Sequence, residues 1–202
     1  MILVLDLSYR PGSLSADEFV APVECIVREE GQTPQIRHYT GVAREDLEAA
    51  DGAILCGTAL KDTGYLDGLE SFGWLTSFPH PVLGICAGMQ AIARIFGGTV
   101  QEGVSIGMAE VEVTGEDPLF AGRNRFTAYE LHGLSVVPPA SFRVLAVSPS
   151  GVQAIRHREM PVYGVLFHPE VRNEWLVRRF LSLCRQKGSG HNRRDEEGKR
   201  GI

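Results

Sequence analysis

Pro81-Val-Leu-Gly84-Ile-Cys86-Ala-Gly88-Met-Gln90 is a short, wholly apolar run that leads straight into a helix-forming segment, Ala87 to Phe96, stopped by Gly97-Gly98. A strand that is apolar at every residue needs cover on both faces, which is the environment of a parallel sheet. Similar runs occur at Ile2 to Leu5, Gly52 to Leu55 and Val162 to Phe167. Helical spacing marks Ala16 to Glu30, closed by Gly31, and Glu45 to Ala50. Strands and helices in alternation predict an α/β fold, a mixed and mostly parallel sheet flanked by helices.

The pattern changes between Thr99 and Leu145. Apolar and polar residues alternate in Ala109-Glu-Val-Glu-Val113 and again around Phe142 to Val147, so a small antiparallel extension is expected. From Glu174, the spacing of Trp175, Leu176, Phe180 and Leu181 with arginines between them predicts a last amphipathic helix. After Lys187 almost nothing is apolar. Residues 1 to 187 therefore read as one domain and 188 to 202 as a disordered tail.

Charged residues make up 22% of the 202 and the net charge is −5, which argues against an electrostatic grip on nucleic acid or on an anionic membrane. The apolar start, MILVLDLSYR, is too short for a signal-peptide core, and no later stretch approaches a membrane span. A cytoplasmic protein is expected. Cys25, Cys56, Cys86 and Cys184 show no C-x-x-C spacing, so free thiols are expected and neither a metal site nor a disulfide framework. The chain has no P-loop and no dinucleotide fingerprint, and no cofactor is expected.

Chemistry concentrates at Gly84-Ile85-Cys86-Ala87-Gly88, a G-x-nucleophile-x-G elbow with cysteine in the serine position. Small residues must flank such a turn because its backbone is strained and tightly packed. A cysteine there also meets the first turn of a helix, where free N–H groups and the dipole favour an anion. The N–H of Ala87 would serve as one half of an oxyanion hole. Taken alone, the motif also fits an ordinary buried cysteine.

A thiolate nucleophile needs a group to move protons, since the leaving amine must be protonated. Of six histidines, His168 ends an apolar strand and opens His168-Pro169-Glu170. Strand ends in a parallel sheet are where side chains converge on a crevice. Pro169 stops the strand, and Glu170 can orient the imidazole as the aspartate does in a serine triad. Taken alone, this tripeptide also fits a solvated loop.

Together, Pro81-x-x-Gly84-Ile85-Cys86-x-Gly88-x-Gln90 and Gly164-Val165-x-Phe167-His168-Pro169-Glu170 resemble the class I glutamine amidotransferase family over roughly residues 1 to 185. The resemblance implies a flavodoxin-like three-layer fold. It also implies hydrolysis of L-glutamine through a glutamyl thioester on Cys86, with His168 as base and Glu170 as its orienting acid. It places the second oxyanion donor at Gly57, and Gln90, Leu131 and His132 beside the glutamine. Within the family, Ala109 to Val113, Asp117-Pro-Leu-Phe-Ala-Gly122, Tyr129-Glu-Leu-His132 and Val144-Leu-Ala146 resemble the subunit that serves GMP synthetase.

That likeness implies an ammonia-accepting synthetase of the ATP-pyrophosphatase type as partner, docked near Gly57 to Gly64 and Tyr129 to Ser135. Against the family pattern, Cys56-Gly57-Thr58 replaces Gly-Gly-Pro, Leu131 replaces a serine and Leu166 replaces a glutamine. Two other readings remain at this point, a stand-alone γ-glutamyl hydrolase of the same fold and a non-catalytic binding descendant. His132 is expected to be satisfied by nearby backbone. His38, His80 and His157 are expected to be surface or packing residues, Glu110 and Glu112 a solvated face, and Trp175 a helix anchor.

Overall fold

The computed structural model describes residues 1–191, with side chains as far as Arg185. One sheet of nine strands organises them, in the order β2-β1-β3-β4-β9-β8-β7-β5-β6. The parallel part comprises β1 (Ile2–Asp6), β2 (Pro34–His38), β3 (Gly52–Leu55), β4 (Val82–Ile85) and β9 (Val162–Val165). The antiparallel part continues from β9 through β8 (Gly151–His157) and β7 (Phe142–Ser148) to the long hairpin of β5 (Thr99–Val113) and β6 (Arg125–Val137).

The apolar runs are strands for the reason their composition suggests. Ile2 and Val4 point into one core with Ile54, Leu83, Val165 and Phe180, while Leu3 and Leu5 point into another with Leu55, Phe72, Val82 and Met89. Both faces are thus buried. Helices α1 (Ala21–Glu29) and α5 (Glu174–His191) cover the first face, and α3 (Ala87–Ile95) with the 3-10 segment Leu69–Thr76 covers the second. Helix α2 (Arg44–Ala49) joins β2 to β3, and the short α4 (Pro169–Arg172) follows β9.

The structure departs from the sequence reading in several places. Strand β2 lies between the two helices expected before β3; it is an edge strand that opens on Pro34 and carries Gln35, Arg37 and His38, so it lacks an apolar run. The segment read as one helix from Ala16 begins with a wider π-type turn at Ala16–Val20 and becomes α-helical at Ala21. The antiparallel extension includes β8 and spans far more of β5 and β6 than the alternating stretch shows. Helix α5 runs to His191, four residues past the expected domain end, and the rest of the tail, residues 192–202, lies outside the described residues.

Among the described residues no helix is long and apolar enough to cross a membrane, and no group of three or more His, Cys, Asp and Glu is placed to hold a metal ion.

Candidate active site

Cys86 occupies the turn between β4 and α3 with φ 49° and ψ −103°, the one positive φ outside glycine among the described residues. A non-glycine residue held there stores strain that its surroundings must maintain. Two features maintain it. The Cys86 N–H donates to the Val165 carbonyl at 2.8 Å, and Gln90 N–H returns to the Cys86 carbonyl at 3.1 Å as the first turn of α3. The flanking glycines are sterically required, since a Cβ on Gly84 would lie 2.5 Å from the Gly88 backbone, and one on Gly88 would lie 2.3 Å from the Leu55 carbonyl oxygen.

His168 follows β9, and its N–H donates to the Tyr129 carbonyl at 2.9 Å. Pro169 then opens α4, and the turn brings Glu170 back so that its Oε1 lies 2.7 Å from Nδ1 of His168. Both side chains are about 1% exposed. Burial alone would push the His168 imidazole down in pKa, but the Cys86 sulfur and the Glu170 carboxylate outweigh it and hold the ring well above its usual 6.5. The charged imidazolium is the favoured form. The other oxygen, Glu170 Oε2, has no hydrogen-bond partner among the described residues.

Cys86 and His168 share one neighbour. The Leu131 carbonyl of β6 lies 3.6 Å from Cys86 Sγ and 3.3 Å from His168 Nε2. Gly57 follows β3 so close to the imidazole that a Cβ there would stand 2.7 Å from Cε1 of His168. The Gly57 N–H donates to no carbonyl among the described residues, and Ala87 is the first residue of α3, where N–H groups lack an intrahelical acceptor. Gly57 and Ala87, one after β3 and one next to Cys86, thus each have an N–H without a backbone acceptor among the described residues.

The departures from the family pattern are accommodated locally. Cys56 points into the core and is fully buried, with burial pushing its thiol well up in pKa, while Thr58 turns its hydroxyl to Asp62 Oδ2 at 2.9 Å. Leu166 is buried in the second core. Asp62 was not singled out from the sequence, yet it also accepts from the Tyr9 N–H at 2.7 Å and so ties the loop after β1 to the loop after β3. No spacing signals such a contact, because the two loops are brought together by the pairing of β1 with β3.

Thr58, Asp62, Tyr65, Cys86, Gln90 and Leu131 are among the residues around a cleft of about 20 Å³ beside the sulfur. That is room for roughly one water. A larger hollow of about 850 Å³ is lined by residues between Val113 and Asn124, where β5 passes to β6, and none of Cys86, His168 and Glu170 lines it.

Two expected pocket residues are engaged by the protein itself. Gln90 lines the cleft, but its Oε1 accepts from the Tyr65 hydroxyl and its Nε2 donates to the Leu134 carbonyl at 3.0 Å, so it braces the wall with both ends engaged. The His132 ring turns away from the cleft: Nδ1 lies 2.9 Å from the Gly103 carbonyl and Nε2 points at Glu130. His157, expected to pack, accepts from Glu159 and Met160 N–H groups at Nδ1, while Glu110 and Glu112 lie exposed beside Arg125. Trp175 packs edge-on against Phe120 and Phe126, with Arg123 over its ring at 4.3 Å.

Residues 23–182 match the family model "Glutamine amidotransferase class-I". The chain belongs to the class I glutamine amidotransferase family. Its relatives include a subunit of the glutamine-hydrolyzing GMP synthase of Pyrococcus abyssi, 39% identical over 153 residues that cover 69% of this chain and 80% of that protein. The protein of the same description from Archaeoglobus fulgidus is 35% identical over 165 residues, covering 77% and 86%. The solved structure of a candidate GMP synthase subunit from Thermoplasma acidophilum superposes with a TM-score of 0.84 at 27% identity, covering 95% of this chain and 96% of that one. A glutamine amidotransferase of Thermotoga maritima shares the fold, with a TM-score of 0.65 at 19% identity and coverage of 92% and 84%.

Proposed function

We propose that this chain is the glutamine-hydrolysing subunit of a two-subunit GMP synthase, with Cys86, His168 and Glu170 as its triad. The observation that carries the reading is the buried 2.7 Å contact of His168 with Glu170 beside a cysteine held at positive φ. The thiolate of Cys86 attacks the side-chain carbonyl carbon of L-glutamine, and the oxygen that gains the charge is received by the N–H groups of Gly57 and Ala87. His168 gives its Nε2 proton to the departing nitrogen, so ammonia leaves and a glutamyl thioester remains on Cys86. Water then attacks the thioester while His168 takes its proton, and glutamate is released with the thiolate restored. Glu170 keeps Nδ1–H aligned throughout, as the carboxylate does in serine triads.

The two relatives above are described as subunits of a glutamine-hydrolysing GMP synthase, which supports a separate synthetase as the ammonia acceptor. The test is a glutaminase assay with and without an ATP-pyrophosphatase synthetase loaded with ATP and XMP. Activity raised by the loaded synthetase is expected; a fast isolated enzyme that prefers γ-glutamyl peptides would sink the proposal.

A further inference from the structure

Glu130 is a carboxylate with no exposed surface, a state that is strongly unfavourable without partners. It lies on β6 and faces the turn between β7 and β8. There, Ser148 Oγ donates to its Oε1 and Ser150 Oγ to its Oε2, each at 2.7 Å. The third neighbour is His132, two residues along the same strand and on the same face, whose Nε2 is 3.6 Å from Glu130 Oε2. The imidazole is equally buried.

The hydrogen positions follow from the geometry. His132 Nδ1 sits 2.9 Å from the Gly103 carbonyl, which can only accept, so Nδ1 carries a proton. Gly103 can present that carbonyl because the register of β5 against β6 slips between Glu102 and Ser105. Among the described residues Nε2 makes no hydrogen bond, and a lone pair there would face the Glu130 carboxylate oxygen 3.6 Å away. A second proton on Nε2 turns that repulsion into attraction and makes His132 the counter-ion of Glu130.

Between the two pair members stands Leu131, whose carbonyl lies against both Cys86 Sγ and His168 Nε2. We propose that Glu130 and His132 form a buried ion pair that fixes the Leu131 carbonyl against the nucleophile and the base, and are positioning residues for glutamine hydrolysis. Fixing both neighbours of Leu131 fixes the two peptide planes on either side of it. The carbonyl then holds Nε2–H of His168, the proton that must pass to ammonia, so the pair acts on the chemical step and little on substrate affinity. Burial alone would raise the Glu130 carboxyl, yet His132 with Ser105, Ser148 and Ser150 holds it at about 2, in keeping with a paired anion.

This inference rests on the amidotransferase reading, and the experiment separates the two. The full chain and its Glu130→Gln and His132→Gln variants are assayed for glutaminase activity with the ATP- and XMP-loaded synthetase, and their melting temperatures are recorded. Each folded variant should lose fivefold or more in kcat with KM moved less than threefold, and the double variant should be no worse than the weaker single. A kcat within twofold of wild type, or a loss carried by KM alone, overturns the pair's role. Should a variant not fold, the ring 15N shifts of His132 in the wild-type chain at pH 7 decide. Two protonated nitrogens support the pair, and one bare nitrogen overturns it. A wild-type chain that folds but hydrolyses no glutamine counts against the amidotransferase reading alone, and the ring nitrogens still judge the pair.

Discussion

Gly57 stands so close to His168 that a Cβ on the glycine would lie 2.7 Å from Cε1 of the imidazole and 3.3 Å from Cδ1 of Phe19. The ring has nowhere to go, because Nδ1 is held by Glu170 and the backbone N–H by the Tyr129 carbonyl. Gly57→Ala should therefore displace the base and tilt the peptide whose N–H we assign to the oxyanion site. Losing one such donor lowers kcat by about 100-fold or more. The variant should melt close to wild type, and steady-state kinetics beside a melting curve would check both halves.

The second expectation concerns which thiol reacts. Cys25 is exposed, but a hydrogen bond and the nearby charge of Glu29 raise its thiol in pKa, and Cys56 and Cys184 are buried with pKa values pushed up by burial. Exposure would select Cys25, whereas chemistry selects Cys86. A glutamine analogue such as acivicin should give one adduct, mapped by mass spectrometry to Cys86. An adduct on any other cysteine removes the nucleophile assignment.

His168→Ala should all but abolish turnover, because His168 is the titratable side chain that both the Cys86 sulfur and the Glu170 carboxylate act on. General acid–base groups contribute about 100- to 10,000-fold. Glu170→Ala should leave more activity, since the ring keeps its Nε2 contact and its place under Phe19, with ring centroids 5.5 Å apart. The raised pKa of His168 adds a pH signature. A raised folded-state pKa contributes stability that is complete below the usual 6.5 and fades as the pH climbs through the folded value. Glu170→Ala removes part of that elevation, so the alkaline limb of the glutaminase profile should move to lower pH.

Much of this site is written in local sequence. The Cys86 elbow and the His168-Pro169-Glu170 turn each lie within five residues, and their glycines and proline are forced by backbone sterics that any chain must obey. Strand β2 and the Asp62 contacts follow another logic. Strand β2 gains its place by pairing with β1, and Asp62 by meeting Tyr9 across 53 residues, so neither leaves a periodic trace. His132 shows the same limit from the other side. A backbone partner was expected for its ring, and the Gly103 carbonyl is one, but which carbonyl the slip in β5 presents, and that Glu130 lies beside Nε2, left no trace in the sequence.

Glu130 should also mark the protein's response to acid. Its folded pKa of about 2 lies below the usual 4.5, so the stability it contributes is present above pH 4.5 and is lost as the pH falls toward 2. Between pH 5 and 3 that amounts to on the order of 2 kcal/mol. Glu130→Gln has no carboxyl to titrate there. Urea unfolding at pH 5 and pH 3 should therefore show a smaller drop for the variant than for wild type, and equal drops would mean the carboxylate is not held as the geometry indicates.

The last prediction concerns when the site opens. A cleft of about 20 Å³ beside Cys86 holds roughly one water, whereas glutamine must bring its whole side chain to the sulfur. Its walls come from the loop after β3 and from the Leu131 to Leu134 stretch of β6, and the latter is held shut through Gln90 Nε2 on the Leu134 carbonyl. Opening must separate these two segments, and both run along the rim where we expect the synthetase to dock. Ammonia set free into water is largely protonated and loses its nucleophilicity, so a crevice that opens only against the acceptor avoids waste. The isolated chain should thus turn over slowly, and the ATP- and XMP-loaded synthetase should raise kcat/KM by tenfold or more. Hydrogen exchange should slow within residues 57–64 and 129–135 when the synthetase is added. Protection confined to any other surface would place the partner elsewhere and leave the opening of the cleft without its trigger.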